Sequence, residues 1–446
     1  MSQSTDFWTL LHLTQEYISQ NYSAALTDKE KLPQLRSYIE KYLRDNIDNL
    51  VGGSVSWNRF NKEKTIQGLV ERIYCEMAEY SILTPYLESD TLEEININAW
   101  NDIAITRLDG SIVKIPEHFH SPQHAVDIVK RLLHHSGMIV DNAVPIAQGH
   151  LPGNKRITVL ISPLVDESVG IACSIRMLHP QRVNRENLIR TNFATEEMVD
   201  FLCMCLRYGV SAVVAGATSS GKTTLLNALL GSIPDSKRVF SIESGSRELS
   251  LVRNENGVPI NNVVHTLSRP SDNPDYDITQ DDLVVASLRF SPDVIAVGEM
   301  RDTEAHSAVE AAITGHTVVS TVHASAGAAA HMRIGLLCQK RFPIDFDTTL
   351  TQTAQAFPLV VYTHKLENND RKIMDISECI IRPNGERGYR SLYNYTITRN
   401  SINNGKYEIE GHFEKHGIMS DSLKAKLMQQ GVPQAVLERF LGGETV

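Results

Sequence analysis

At 446 residues the chain has room for two to four domains, and its 42% hydrophobic and 22% charged content is that of a soluble globular protein. A net charge of −10 argues against a protein that coats nucleic acid or a membrane surface by bulk charge. Six scattered cysteines form no C-x-x-C pair, which excludes a tetracysteine zinc module and fits free thiols in a reducing cytoplasm. The N-terminus lacks the basic region and apolar core of a signal peptide, and no apolar run is long enough to span a bilayer.

Residues 1–90 are expected to form a helical bundle. Leu35, Tyr38, Ile39, Tyr42, Leu43 and Ile47 recur at helical spacing, as do Ile66, Leu69, Val70, Ile73, Tyr74 and Met77. At residue 92 the period changes to two. "LEEININAW" and "DIAITRL" alternate, and the Asp109-Gly110 turn precedes "SIVKI". A helix, "AVDIVKRLLHHSG", and the strands "RITVLISP" and "GIACSIRM" complete an α+β domain over 91–177. The polar stretch 178–194 reads as a linker.

From 195 to 365 helices and strands alternate, the pattern of a parallel sheet covered on both faces. Its strands are "SAVVAG", "RVFSIE", "VIAVGE" and "TVVSTVH". Residues 366–446 read as a small extension, a strand pair followed by two short helices.

Two motifs carry chemistry. Gly216, Ala217, Thr218, Ser219, Ser220, Gly221, Lys222 and Thr223 fit G-x-x-x-x-G-K-[ST], the phosphate-binding P-loop, with the required strand before and helix after. Backbone N–H groups and the helix N-terminus would face the phosphates. Lys222 would reach the β- and γ-phosphates, Thr223 would ligate Mg²⁺, and Thr224 could bond the α-phosphate. An acid at the end of a neighbouring strand normally holds the Mg²⁺ water shell, and "VIAVGE" delivers Glu299 to such a tip.

The segment "ASLRFSPDVIAVGEMRDTEAHSAVEAAITGHTVVSTVHASA" resembles the secretion ATPase superfamily, the motors of type II secretion, type IV pili and type IV secretion. The likeness runs over roughly residues 90–365 and implies a RecA-like P-loop motor domain behind an α+β domain. "LEEININAWNDIAI", "VPIAQGHLPGNKRITVLISPLV", "SIRM" and the tail "EIEGHFEKHGIMSDSLKAKLMQQGVP" are similar to the tight-adherence (Tad) pilus branch. The resemblance implies ATP and Mg²⁺ as ligands, a hexameric ring, an inner-membrane platform protein as partner, and a cytoplasmic location at the membrane's inner face.

By the same resemblance Glu243, in "SIESGSREL", is the base or polariser of the attacking water. Ser244 stands where the family usually has Asp, and Glu248 is a displaced second acid. His316 and His323 match a histidine box with a γ-phosphate sensor role. Arg176 would reach the γ-phosphate from the preceding domain, Arg269 and Arg289 would act across a subunit boundary, and Arg301 would pair with an acid of its own sheet to order the Mg²⁺ site.

Two other functions compete. A nucleic-acid motor would need a basic, aromatic-rich channel, and 240–340 offers only scattered Arg, so no nucleic-acid partner is expected. A nucleotide-binding scaffold without turnover is suggested by Ser244.

Overall fold

The computed structural model describes residues 7–23, 31–50, 59–134, 136–178, 184–245, 247–269, 273–403 and 405–441, which divide into two compact units, 1–177 and 178–446. Among the described residues the first unit opens with three helices, α1 (Phe7–Tyr22), α2 (Leu32–Leu50) and α3 (Arg59–Ala78). Their cores are the periodic residues of the sequence: Leu35, Ile39, Leu43, Ile66, Val70, Ile73 and Tyr74 are buried together with Leu10, Leu11 and Ile18 of α1. The side chain of Ile47 lies outside the described residues.

After a short α4 (Thr84–Leu87) the chain enters β1 (Leu92–Ala99), β2 (Asp102–Arg107) and β3 (Ile112–Lys114), then α5 (Pro122–His134), β4 (Ile146–Leu151), β5 (Lys155–Ile161) and β6 (Ile171–Met177). The six strands form one antiparallel sheet in the order β3-β2-β1-β6-β5-β4. Alternation decides its two faces. Ile95, Ile97, Ile157, Val159, Cys173 and Ile175 bury one face with Ile128, Val129 and Leu132 of α5. The other face carries polar residues, among them Glu94, Arg176 and Arg156 side by side in one cross-strand row.

Part of the segment read as a linker is ordered. Asn184 caps α6 (Arg185–Arg190) by accepting from Asn187 N, and Leu188, Phe193 and Ala194 are buried in the second unit's core. Its polar composition hid a single turn-and-a-half of helix with one apolar side. Residues 179–183 lie outside the described residues.

The second unit continues with α7 (Glu196–Arg207), β7 (Ala212–Gly216), α8 (Lys222–Gly231), β8 (Val239–Glu243), the two-residue β9 (Asn254–Glu255) and β10 (Val258–Pro259), β11 (Val263–Leu267), α9 (Gln280–Ser287), β12 (Val294–Val297), α10 (Glu304–Ile313), β13 (Thr317–Val322), α11 (Gly327–Cys338), α12 (Phe346–Ala356) and β14 (Leu359–Lys365). Six of these strands run parallel in the order β11-β8-β12-β13-β7-β14. The inner strands β8, β12, β13 and β7 are buried along their whole length, as a sheet covered on both faces requires. Ala212, Val214, Val239, Val294, Ala296 and Val319 pack to one face, and Val213, Phe240, Ile242, Ile295, Val297 and Val318 to the other. This is the expected α/β core.

The C-terminal residues hold three strands where a pair was expected. β15 (Arg371–Ile381), β16 (Arg387–Asn403) and β17 (Lys406–Lys415) extend the same sheet antiparallel beyond β14, to nine strands. The helices α13 (Asp421–Gln429) and α14 (Gln434–Leu441) fold back, and Leu423, Leu427, Leu437 and Phe440 join the core that holds Leu225 and Leu226 of α8. A hairpin is locally visible in sequence. The pairing of β14, on which it is built, with β7 of the parallel core is not.

Candidate active site

In a parallel sheet every strand delivers its C-terminal end to the same edge, where α/β proteins bind ligands. Here that edge collects Gly216 from β7, Glu243 from β8, Glu299 just past β12 and His323 just past β13. The register sets their heights: Val322 pairs with Ala215, which puts His323 level with Gly216.

The P-loop bends sharply between β7 and α8. Ser219 has φ +61° and Gly221 φ +95°, the left-handed region that Gly tolerates and Ser does not favour. A Cβ on Gly221 would come within 2.8 Å of the Phe193 ring, so steric room as well as φ requires glycine there. Ser220 is fully buried and its hydroxyl lies 2.9 Å from that of Thr363 on β14.

Lys222 is buried at the first turn of α8. Its Nζ donates to the carbonyls of Gly216 (3.1 Å) and Ala217 (2.8 Å) and lies 3.5 Å from Nδ1 of His323. On its other side His323 Nε2 lies 3.1 Å from Glu299 Oε1, and Arg301 pairs with Glu299 Oε2. Burial, and next the Lys222 charge, hold His323 below its ordinary value. A neutral His323 with the proton on Nε2 satisfies both contacts, accepting at Nδ1 and donating to Glu299. The result is a chain, Lys222–His323–Glu299–Arg301, across three strands.

Glu243 sits one strand further along. It is 4% exposed, and its Oε1 accepts from Glu248 N (2.7 Å) and Leu249 N (2.9 Å). Its Oε2 is buried without a hydrogen-bond partner. Burial pushes this carboxyl up to about 7, against the lowering effect of the two backbone donors. Ser244, where the resemblance expects Asp, is exposed, and Glu248 is half-buried.

The other expected residues are placed elsewhere. His316 precedes β13, so about 20 Å of strand separates it from His323 at ~3.3 Å per residue. It lies at the opposite edge of the sheet, its backbone N–H bonded to Ala311 O and its Nδ1 buried without a partner. The structure therefore does not bring the two histidines of the box together: equal spacing along a strand separates residues that equal spacing on a helix would join. Arg289 is exposed between α9 and β12, also at that opposite edge. Arg269 is exposed beyond β11, and its guanidinium donates to Tyr276 O. It stands at the right edge of the sheet but four strands from β7, about 19 Å at the usual interstrand spacing. Arg176 belongs to the first unit, half-buried on β6 beside Glu94. Thr223 is half-buried and Thr224 exposed in the first turn of α8.

Sequence reasoning missed Glu304, Thr363, Phe193 and Arg371. Buried Glu304 accepts from Arg301 N and Asp302 N, fixing the turn that follows Glu299. Its signal was an acid at the start of a helix. The others touch the P-loop from distant parts of the chain and left no local trace.

The site's oxygens are of the kind that suits a hard divalent cation, with the Glu299 carboxylate already held by His323 and Arg301. The Thr223 hydroxyl, the Glu299 carboxylate and the unpartnered Glu243 Oε2 are the ligand types that bind Mg²⁺ directly or through water.

The family profile described as "Type II/IV secretion system protein" matches residues 76–404. The chain belongs to this family. Among similar proteins, the type IV secretion system protein PtlH of Bordetella pertussis is 28% identical over 258 residues, 52% of this chain and 74% of PtlH. The type IV secretion system protein VirB11 of Bartonella quintana is 25% identical over 305 residues, 60% of this chain and 83% of VirB11. This type II/IV secretion system protein spans 34% and 42% of the length of two uncharacterised proteins of Methanocaldococcus jannaschii, to which it is 36% and 26% identical over the matched residues. A solved structure, the DotB ATPase of Yersinia pseudotuberculosis, aligns over 86% of each chain with a TM-score of 0.47 and 14% identity. Among the described residues no helix is long and apolar enough to cross a membrane.

Proposed function

We propose that this member of the type II/IV secretion system protein family hydrolyses ATP and uses the energy as a motor for a pilus or secretion machine. The observation that carries the reading is the Lys222–His323–Glu299–Arg301 chain at the sheet edge that also holds Glu243. An isolated P-loop binds phosphate. One joined to a strand-end acid, with a second buried acid alongside, has the parts for hydrolysis.

The residues would divide the work as follows. P-loop N–H groups from Gly216 to Thr224 and the Lys222 ammonium hold the phosphates. Thr223 and Glu299 would hold Mg²⁺, which neutralises charge on the phosphates when bound. Glu243, already poised near neutral pH, takes the proton of the attacking water or polarises it. His323, between Lys222 and Glu299, would register whether a γ-phosphate lies there; His316 lies at the other end of β13, away from these residues. Arg301 orders Glu299. Arg176 neutralises developing charge from the first unit, and Arg269 and Arg289 serve a neighbouring subunit in a hexameric ring.

The N-terminal-domain motifs and the tail support the Tad pilus branch, with an inner-membrane platform protein as partner and a cytoplasmic position at the membrane. A second reading, a type IV secretion motor, is favoured by the names of PtlH and VirB11. Which platform protein co-purifies with the chain separates the two. Hydrolysis itself is tested by steady-state phosphate release: Lys222→Ala should abolish turnover and weaken nucleotide binding. Hydrolysis at the wild-type rate in that variant would overturn the motor reading.

A further inference from the structure

We propose that Arg371, at the start of β15, is a positioning residue that holds the P-loop in its phosphate-binding shape. The proposal deepens the nucleotide reading above and rests on it for its binding measurements. Three observations carry it. Arg371 Nε donates to Ser219 O at 2.9 Å. Ser219 is the non-glycine residue that the loop holds at positive φ, +61°, so its carbonyl is the one whose direction most needs fixing. The Arg371 stem also runs beneath Gly221, its Cδ 3.7 Å from the place a Cβ would occupy, alongside the Phe193 ring.

The two residues after Arg371 secure the same floor. Lys372 Nζ donates to Asn192 O at 2.8 Å, and Ile373 N donates to Phe193 O at 2.8 Å. Three consecutive residues of β15 thus hold the loop, the segment before α7 and the ring under Gly221. Strand pairing fixes where they act. Thr363 pairs with Gly216, and Lys365 pairs with Arg371, so the β14–β15 turn is brought beside the P-loop by register. Thr363 adds its hydroxyl contact to Ser220. The loop is clasped from Ser219 to Gly221 by residues more than 140 positions away.

A clasp of this kind presents the N–H groups before a phosphate arrives, which lowers the ordering cost of binding either nucleotide. It touches the outside of the loop and makes no demand on the γ-phosphate. Loss of the Arg371 bond should therefore weaken ADP and ATP alike and leave the chemical step intact.

The test uses the full chain with Arg371→Met, which keeps an apolar stem under Gly221 and removes the donor; Arg371→Ala is the second variant should that one fail to fold. The expected result is a rise of about tenfold in Kd for both ADP and a non-hydrolysable ATP analogue, the size of one lost charge-assisted hydrogen bond. At saturating ATP kcat should stay within about twofold, so the loss falls on KM. With no nucleotide added, amide hydrogen exchange in the P-loop peptide should quicken, while exchange in β12 does not change. Unchanged affinities overturn the proposal. So does a fall in kcat with ADP affinity intact, which would make Arg371 a γ-phosphate contact. Weaker affinity with unchanged exchange overturns it as well, since Arg371 would then touch the nucleotide directly. Wild-type protein and Lys222→Ala run alongside: absence of nucleotide binding in the wild type sinks the motor reading, whereas the exchange measurement still judges the clasp.

Discussion

Glu243→Gln isolates the most unusual electrostatic feature of the site. The substitution keeps an oxygen to accept from Glu248 N and Leu249 N, and it replaces the unpartnered Oε2 with a neutral amide. Because burial raises the carboxyl from 4.5 to about 7, ionising it in the folded protein costs about 3 kcal/mol, at ~1.4 kcal/mol per pH unit of separation. The folded value lies above the unfolded one, so the folded protein is the form that binds the extra proton. The neutral carboxyl's contribution is thus complete below about pH 4.5, declines through the interval, and is lost above about pH 7. The amide has no such dependence. Wild type and E243Q should be nearly equal in stability near pH 4.5, and the variant should be more stable by about 3 kcal/mol at pH 8.

The readout must report the second unit. All three tryptophans, Trp8, Trp57 and Trp100, belong to the first, so intrinsic tryptophan fluorescence would follow the wrong unit. Native-state hydrogen exchange at core amides of β7 and β8, corrected for intrinsic rates at each pH, measures the opening free energy where Glu243 sits. A wild-type-to-variant gap that is the same at pH 5 and pH 8 would refute the burial argument. The kinetic counterpart has a matching sign: a base works only when ionised, so wild-type kcat/KM should climb as pH rises through about 7. E243Q should lose about 10²–10⁴-fold in rate and show no such limb. A more stable, less active variant is the signature of a carboxylate kept buried for chemistry.

Glu299→Gln should retain ATP but stop hydrolysis, since the amide oxygen can still accept from one of His323 and Arg301 yet the side chain carries no charge for Mg²⁺; normal phosphate release would make Glu299 a surface acid. Arg176→Ala should leave ADP affinity intact and cut kcat by about 10³-fold, the usual worth of an arginine that stabilises phosphoryl transfer; equal weakening of ADP and ATP, or unchanged turnover, would remove the first unit from the reaction. Specific activity should rise with protein concentration in step with assembly seen by light scattering, because arginines that act across subunits need a neighbour; full activity in a dilute monomer would exclude them.

What the sequence made legible follows the range of the forces involved. Strand identity, helix faces and the P-loop are set by neighbours within a few residues, and "SAVVAG", "VIAVGE" and the stripes of α2 and α3 lie where period and motif put them. The height of a residue on the sheet is a different kind of fact. His316 and His323 look equivalent in a seven-residue spacing, but β13 carries them to opposite edges, and only the pairing of Val322 with Ala215 shows which one faces Lys222. Contacts such as Ser220 to Thr363, and Ser219 to Arg371, are harder still, since each is created by a strand inserting beside β7 after more than 140 intervening residues. Nothing local to "KLENNDRKIMDI" distinguishes an arginine that grips a phosphate loop from one that faces solvent. The consequence is physical as well as predictive. A loop that holds Ser219 at positive φ and buries Lys222 against its own carbonyls does not get that shape from glycines alone. Glycines permit the bend, and on the clasp proposed above β14 and β15 select it, so the P-loop's readiness to bind should follow whether the antiparallel extension is folded onto the parallel core.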